Sequence, residues 1–145
     1  MSMTFDSYMK DVIQPMRDEL TGLGIKELRT PGEVVENLEN AKGTSLVVVN
    51  SVCGCAAGNC RPGVAQALGH DALPDHLFTV FAGQDKEATA KAREYFEPYP
   101  PSSPSIALMK DGKLIYFIQR NQIEDRTAAE IAADLRGAFD NYCRA

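Results

Sequence analysis

The chain predicts an α/β fold built around a mixed sheet, and three observations carry that expectation. "SLVVVNSV" (45–52) is a continuous β-branched run, the pattern of a central strand covered on both faces. A second buried run, "HLFTVFAG" (76–83), follows a helical segment. In "SIALMKDGKLIYFIQR" (105–120), Asp111-Gly112 separates two apolar stretches, a strong short-range hairpin signal.

The elements follow in order. Residues 5–21 set Tyr8, Met9, Val12, Ile13, Met16 and Leu20 three and four apart, an amphipathic helix whose middle Pro15 should perturb. A short apolar segment, "GIKELR" (24–29), comes next. Thr30 and Glu33 then have capping-box spacing with Pro31 at the first helical position, so a helix with Val34, Val35 and Leu38 inward should run to about Lys42 and stop at Gly43. After the first long strand, "RPGVAQALGH" (61–70) reads as helix; after the second, "DKEATAKAREYFEPY" (85–99) reads as a helix opened by acids. "PYPPSSPS" (98–105) is a proline-dense loop, and a last helix begins near Thr127, boxed by Glu130, with Ile131, Leu135, Ala138 and Phe139 inward. The order α-β-α-β-α-β-α-β-β-α makes the helix-joined strands parallel and the hairpin an antiparallel edge. No linker or repeat divides it, so a single domain is expected over 1–145.

Net charge is −5, with no run of Lys or Arg, which argues against nucleic acid or an anionic membrane as partner. The opening "MSMTFDSYMKDVIQPMRDEL" carries charges throughout, and no segment approaches the roughly 20 apolar residues of a membrane span. A cytoplasmic protein is expected. In that compartment structural disulfides are rare, so clustered cysteines point to catalysis or metal binding.

Three of the four cysteines, Cys53, Cys55 and Cys60, fall within eight residues at the end of the first long strand. In open α/β sheets function gathers beyond the carboxyl ends of the strands. There the N–H groups and positive dipole end of the following helix favour a thiolate, the attacking species in disulfide exchange. Gly54, Ala56, Ala57 and Gly58 leave little bulk to hinder a large disulfide substrate. Cys53-Gly54-Cys55 spaces its thiols by one residue; a bridge across so small a ring departs from relaxed geometry and is reduced readily, and Gly54 can adopt the backbone angles such a ring demands. Two alternatives stand beside the redox pair. The cluster could hold a metal or iron–sulfur centre through Cys53, Cys55 and Cys60, although the spacing fits structural zinc poorly and His70 and His76 fall elsewhere, reading as surface or capping residues. It could also be a glycine-rich turn over inert, packed thiols. Cys143, near the C-terminus, has no assigned role. Arg61 offers either a positive charge and planar fork for an anionic carboxylate, or a solvated helix residue.

"NSVCGCAAGNCRPG" (50–63), "SPSIALMKDGKLIYFIQR" (103–120) and the N-terminal helix before the first short strand together resemble the bacilliredoxin family of the thioredoxin superfamily, over nearly the whole chain. The resemblance implies a thioredoxin-like three-layer α/β/α fold with a central mixed sheet, a C-terminal antiparallel β-hairpin and an extra N-terminal helix. It implies a thiol–disulfide oxidoreductase that removes bacillithiol, a low-molecular-weight thiol, from S-thiolated proteins, with disulfide isomerase activity also attributed to the family. Bacillithiol would be a co-substrate, with no bound cofactor or metal. Cys53 matches the nucleophile and Cys55 the second cysteine. Pro104 matches the cis-proline facing the thiol across the substrate groove, and Ser103 before it would offer backbone groups to an extended peptide. Gly54 and Arg61 complete the expected substrate contacts. The chain departs from thioredoxins at Val47, Val48, Val49 and Asn50, where no buried acid precedes the motif, and in lacking Trp; Cys60 departs from the family pattern. An apolar edge strand or the N-terminal helix could pair two copies as a homodimer.

Overall fold

The computed structural model describes residues 4–144; residues 1–3 and 145, which the expected domain 1–145 includes, lie outside the described residues. Strand β2 (Thr44–Asn50) is buried along its whole length, as the unbroken apolar stretch from Leu46 to Val49 requires. It pairs in parallel with β3 (His76–Phe81) on one side and antiparallel with β4 (Ser105–Lys110) on the other. Short β1 (Lys26–Glu27) extends β3 in parallel, and β5 (Lys113–Ile118) closes the hairpin with β4, giving the order β1-β3-β2-β4-β5. At the hairpin tip Asp111 and Gly112 both have positive φ, 50° and 81°, as the two-residue turn demands.

Alternation along β2 divides the core. Leu46 and Val48 face one side with Ile106, Leu108 and Ile118 of the hairpin; Val47 and Val49 face the other with Phe78, Val80 and Met109. Full burial of each such side chain contributes roughly 1.5–3 kcal/mol.

The first face is covered by three helical elements. α1 runs through Phe5–Tyr8, widens over Met9–Ile13 and continues as Gln14–Thr21. The perturbation expected of Pro15 is this widening: the Gln14 N–H reaches back to Met9 O, so the helix passes the proline without breaking. Its inward stripe is narrower than the spacing suggests, because only Ile13 and Leu20 of the six expected positions are fully buried, with Arg17 between them. α3 follows β2, starting at residue 54, widening over Ala56–Cys60 just before Pro62, and continuing as Arg61–Ala67. It begins earlier than expected, so Cys55 and Cys60 lie inside the helix. α6 (Ala128–Tyr142) starts from the expected capping box of Thr127 and Glu130. It approaches α3 so closely that a Cβ on Gly63 would stand 2.8 Å from Ile131 Cγ2.

The second face is covered by α2, Pro31–Val34 with a widened Val35–Glu39, and α4, Lys86–Arg93 tightening over Glu94–Phe96. The Thr30 Oγ1 cap accepts the Glu33 N–H at 3.1 Å, but the Glu33 carboxylate accepts the Thr30 hydroxyl and the Arg29 N–H rather than the Thr30 backbone N–H that would close the box. α2 ends at Glu39 rather than near Lys42. Gly43, at φ +83°, carries the chain into β2 where a Cβ would meet Asp75 Oδ2 at 2.1 Å.

Two expectations are corrected. β4 is joined to β3 through a helix yet runs antiparallel to β2. The loop from Glu97 to Pro104, with cis peptides at Pro98 and Pro104, returns the chain to the end of the sheet where β2 finishes before β4 starts. And Arg120 does not extend the hairpin: β5 stops at Ile118, and a box between Gln119 and Gln122 opens a separate short helix, α5 (Arg120–Glu124).

A buried ionic cluster joins α1 to the sheet edge. Arg17, 2 % exposed, donates from Nη1 to Glu27 Oε2 at 2.8 Å and to Asp85 Oδ2 at 2.6 Å, with its guanidinium over the Phe81 ring. Nothing in the amphipathic pattern of residues 5–21 marks this arginine as interior.

Candidate active site

β2 ends at Asn50, and the chain turns through Ser51 and Val52 into α3. The turn is held from beneath. Asn50 Oδ1 accepts the Ser51 N–H at 2.9 Å and Arg61 Nη1 at 2.9 Å, while Asn50 Nδ2 donates to Met16 O on α1. Arg61 Nη1 also donates to Ser51 O at 2.9 Å, and its Nε stands 3.1 Å from Glu19 Oε2. Above, the Cys53 N–H donates to Ser51 Oγ at 3.1 Å, and Cys53 O accepts the N–H groups of Ala56 and Ala57. Cys53 therefore occupies the N-terminal cap of α3, the strand-to-helix position its sequence context indicates.

The Cys53 and Cys55 sulfurs lie 2.8 Å apart and both residues are half-buried. Partial burial raises the Cys53 thiol, but hydrogen bonds from Cys55, from Ser51 and from the Ala56 and Cys55 N–H groups outweigh it and hold the thiol below its ordinary value. Burial pushes the Cys55 thiol up, and its hydrogen bond and proximity to Cys53 push the same way. The pair thus favours a thiolate at 53 beside a neutral thiol at 55. Gly54 is helical and outside the positive-φ region, so the backbone freedom expected of it is not in use while both thiols are free. A Cβ there would meet nothing within 4 Å, which leaves the approach to the sulfurs open. Val52, 46 % exposed, adds apolar surface beside them.

The register of β2 against β4 sets Val49 opposite Ser105, so the residues just before β4 run alongside those just after β2. This brings Ser103 and buried cis-Pro104 to the end of the sheet that carries the thiols. The Ser103 carbonyl accepts Arg120 Nη1 at 3.1 Å. Asn59, on α3, donates through Nδ2 to Ile123 O and Arg126 O, tying the helix after the thiols to α5.

Cys53, Cys55, Gly54, Ser103 and Pro104 therefore gather at one end of the sheet. Arg61 does not join their open face. It is 3 % exposed and spends Nη1 beneath the turn, which corrects both the solvated reading and the expected substrate contact. Nor does Cys60 complete a three-thiol cluster: its side chain is wholly buried in the core beneath α3, and burial pushes its thiol up to about 12. Among the described residues the group that brings three potential metal-ligand atoms together is half-buried His70 with exposed Asp71 and Asp140, already engaged with one another and with Arg144. His76 bonds Lys42 O, and Cys143 is half-buried at the end of α6. Two neighbours of the thiols escaped the sequence reading. Ser51 adjoins the motif but carries only a hydroxyl, and Arg120 lies far along the chain, where no local pattern connects it to Cys53.

Paired cysteines at the cap of a helix that follows the central strand of this mixed sheet, across from a cis-proline loop, define a thioredoxin-fold thiol–disulfide oxidoreductase. The comparisons with solved structures agree on the fold: a thioredoxin from Fasciola hepatica superposes with a TM-score of 0.56, covering 81 % of this chain and 99 % of that one at 21 % identity. Mitochondrial thioredoxin 3 from Saccharomyces cerevisiae gives 0.54, covering 85 % and 98 % at 20 % identity. A family model described as disulphide isomerase matches residues 8–143. A bacilliredoxin from Halalkalibacterium halodurans is 55 % identical over 143 residues, 99 % of each chain, and one from Geobacillus kaustophilus is 54 % identical over 144 residues, again 99 % of each. The chain belongs to the bacilliredoxin family. No described helix is long and apolar enough to cross a membrane.

Proposed function

We propose that this oxidoreductase reduces mixed disulfides between proteins and a low-molecular-weight thiol of the bacillithiol type, working in the cytoplasm through Cys53 and Cys55. The observation that carries the reading is the asymmetry of the pair: sulfurs 2.8 Å apart, with the first thiol held below its ordinary value and the second above it.

In the first step the Cys53 thiolate attacks the small thiol's sulfur in protein–S–S–R. A disulfide bond forms between Cys53 Sγ and the small thiol's sulfur, the bond between that sulfur and the protein's sulfur breaks, and its electron pair leaves on the protein sulfur, which takes a proton from water. In the second step Cys55 gives up its proton to solvent and attacks Cys53 Sγ. The bond between Cys53 Sγ and the small thiol's sulfur breaks, the small thiolate departs, and a Cys53–Cys55 disulfide remains. The protein substrate has gained two electrons and the enzyme has lost two; a dithiol reductant or two equivalents of small thiol return it to the starting state. Gly54 leaves the approach clear, and the backbone of Ser103 and Pro104 lines the groove for the protein substrate.

The test is release of a small thiol from an S-thiolated protein carrier. Cys53→Ser should abolish release. Cys55→Ser should still accept the small thiol and stall as the Cys53 mixed disulfide, detected by its mass. Release by the Cys53→Ser variant overturns the assignment.

A further inference from the structure

A reductase of small-thiol adducts must recognise the small thiol as well as its sulfur, and a thiol of the bacillithiol or glutathione kind carries carboxylates. The residue that the sequence offered for this charge, Arg61, is turned inward and occupied. From the geometry we infer that Arg120 is the specificity residue for negatively charged small thiols, receiving their carboxylate beside the Cys53–Cys55 pair. This rests on the mixed-disulfide reading above.

Four observations converge on Arg120. Its Nη1 donates to Ser103 O at 3.1 Å, so the guanidinium is seated on the residue that precedes the cis-proline, at the end of the sheet where the thiols emerge. Its side chain is 46 % exposed, so a solute can reach it, in contrast to Arg61 at 2 %. Its Nε pairs with Glu124 Oε2 at 3.3 Å, which orients the fork, and among the described residues Nη2 has no hydrogen-bond partner. Finally, its positive charge acts on both sulfurs: it opposes the rise of the Cys55 thiol, and the two thiols reciprocally favour its charged form. An anchored arginine with an open N–H edge, at the end of the sheet that carries the reacting sulfurs, suits a carboxylate a few bonds from a disulfide. The Ser103 contact also relocates the expected peptide recognition: the carbonyl of Ser103 is taken by Arg120, so a passing substrate meets the guanidinium at that point.

One carrier protein, S-thiolated in turn with 3-mercaptopropionate (anionic), 2-mercaptoethanol (neutral) and cysteamine (cationic), tests this with wild type, Arg120→Gln and Arg120→Lys. The readout is the ratio of kcat/KM values between carriers, which removes any loss common to all three through the Ser103 contact. Wild type should favour the anionic adduct over the neutral one and disfavour the cationic one. Arg120→Gln should shrink the anionic-to-neutral ratio by about threefold to fivefold, the scale of an exposed ion pair, and added salt should shrink the wild-type ratio likewise. Arg120→Lys, keeping charge without the fork, should fall between. A ratio that Arg120→Gln leaves unchanged overturns the inference. Failure of wild type to release any of the three thiols would instead overturn the function on which it rests.

Discussion

Arg61 Nη1 reaches Asn50 Oδ1 at 2.9 Å beneath the thiols, joining the last residue of the central strand to the helix that follows them. The same Nη1 satisfies Ser51 O, so one buried nitrogen holds both carbonyl-type oxygens of the turn that presents Cys53. Removing it leaves the buried Ser51 O without a partner and Asn50 Oδ1 with the Ser51 N–H alone. Arg61→Met should lower stability by about 1–3 kcal/mol, seen as an earlier urea midpoint at unchanged slope, and Arg61→Lys should recover part of the loss. Wild-type stability in Arg61→Met would show that the turn holds itself.

Cys55 is the foremost hydrogen-bond donor among the groups that hold the Cys53 thiol below its ordinary value. In Cys55→Ala the pH midpoint of Cys53 alkylation should therefore move up toward the unperturbed value of about 8.5. The sign for stability follows. A thiol lowered by folding stabilises the fold at pH above the unfolded thiol value, and that contribution fades as pH falls through the lowered one. The variant should show a weaker form of this dependence in urea titrations across pH.

Cys60 is wholly buried and its thiol is pushed up to about 12. It should resist iodoacetamide in the native protein and react only once the chain unfolds. Cys60→Ala should cost about 1 kcal/mol through lost packing, while small-thiol release continues. Loss of release in a folded Cys60→Ala protein would place this thiol in the reaction after all.

Tyr116 donates its hydroxyl to Asp134, and burial with that hydrogen bond pushes its ionisation up to about 12. Because the folded value lies above the unfolded one of about 10, its stabilisation is complete below pH 10 and is lost as pH rises through 12. Tyrosinate absorbance should show a late-titrating component that is reduced in Tyr116→Phe, while Tyr95, which burial also pushes up, keeps its own late titration. A Tyr116 that ionises with the exposed tyrosines would contradict this.

Gly63 lies where α3 meets α6. A methyl there would stand 2.8 Å from Ile131 Cγ2 and 3.2 Å from Ala128 O, with backbone on one side. Gly63→Ala should cost about 1–3 kcal/mol by overpacking, and trimming Ile131 to Val in the same chain should return part of it. Thermal unfolding of both variants measures the difference; an unperturbed single variant would mean the two helices part freely.

Much of the architecture is local and therefore readable in the chain. The β-branched run at 45–52 places the central strand, Asp111-Gly112 places the hairpin, and Thr127 with Glu130 starts the last helix, because each pattern reflects forces between residues a few positions apart. The same holds for Cys53: a cysteine directly after a buried strand and before a helix lies at a helix cap, whatever surrounds it. Less local features were missed or misplaced, among them the direction of β4 and the short helix at Arg120–Glu124.

By itself the chain determined that paired thiols stand at the end of a central strand in a mixed sheet, since burial pattern and helix-capping chemistry are written in neighbouring residues. Only the tertiary structure decided which charges attend them. Arg61, next to the motif in sequence, is drawn inward because Asn50 Oδ1, Ser51 O and Glu19 converge on it, whereas Arg120 arrives at the open side because β5 and the Ser103 carbonyl deliver it there. Electrostatic effects depend on distance through space, and that distance is settled by packing rather than by position along the chain.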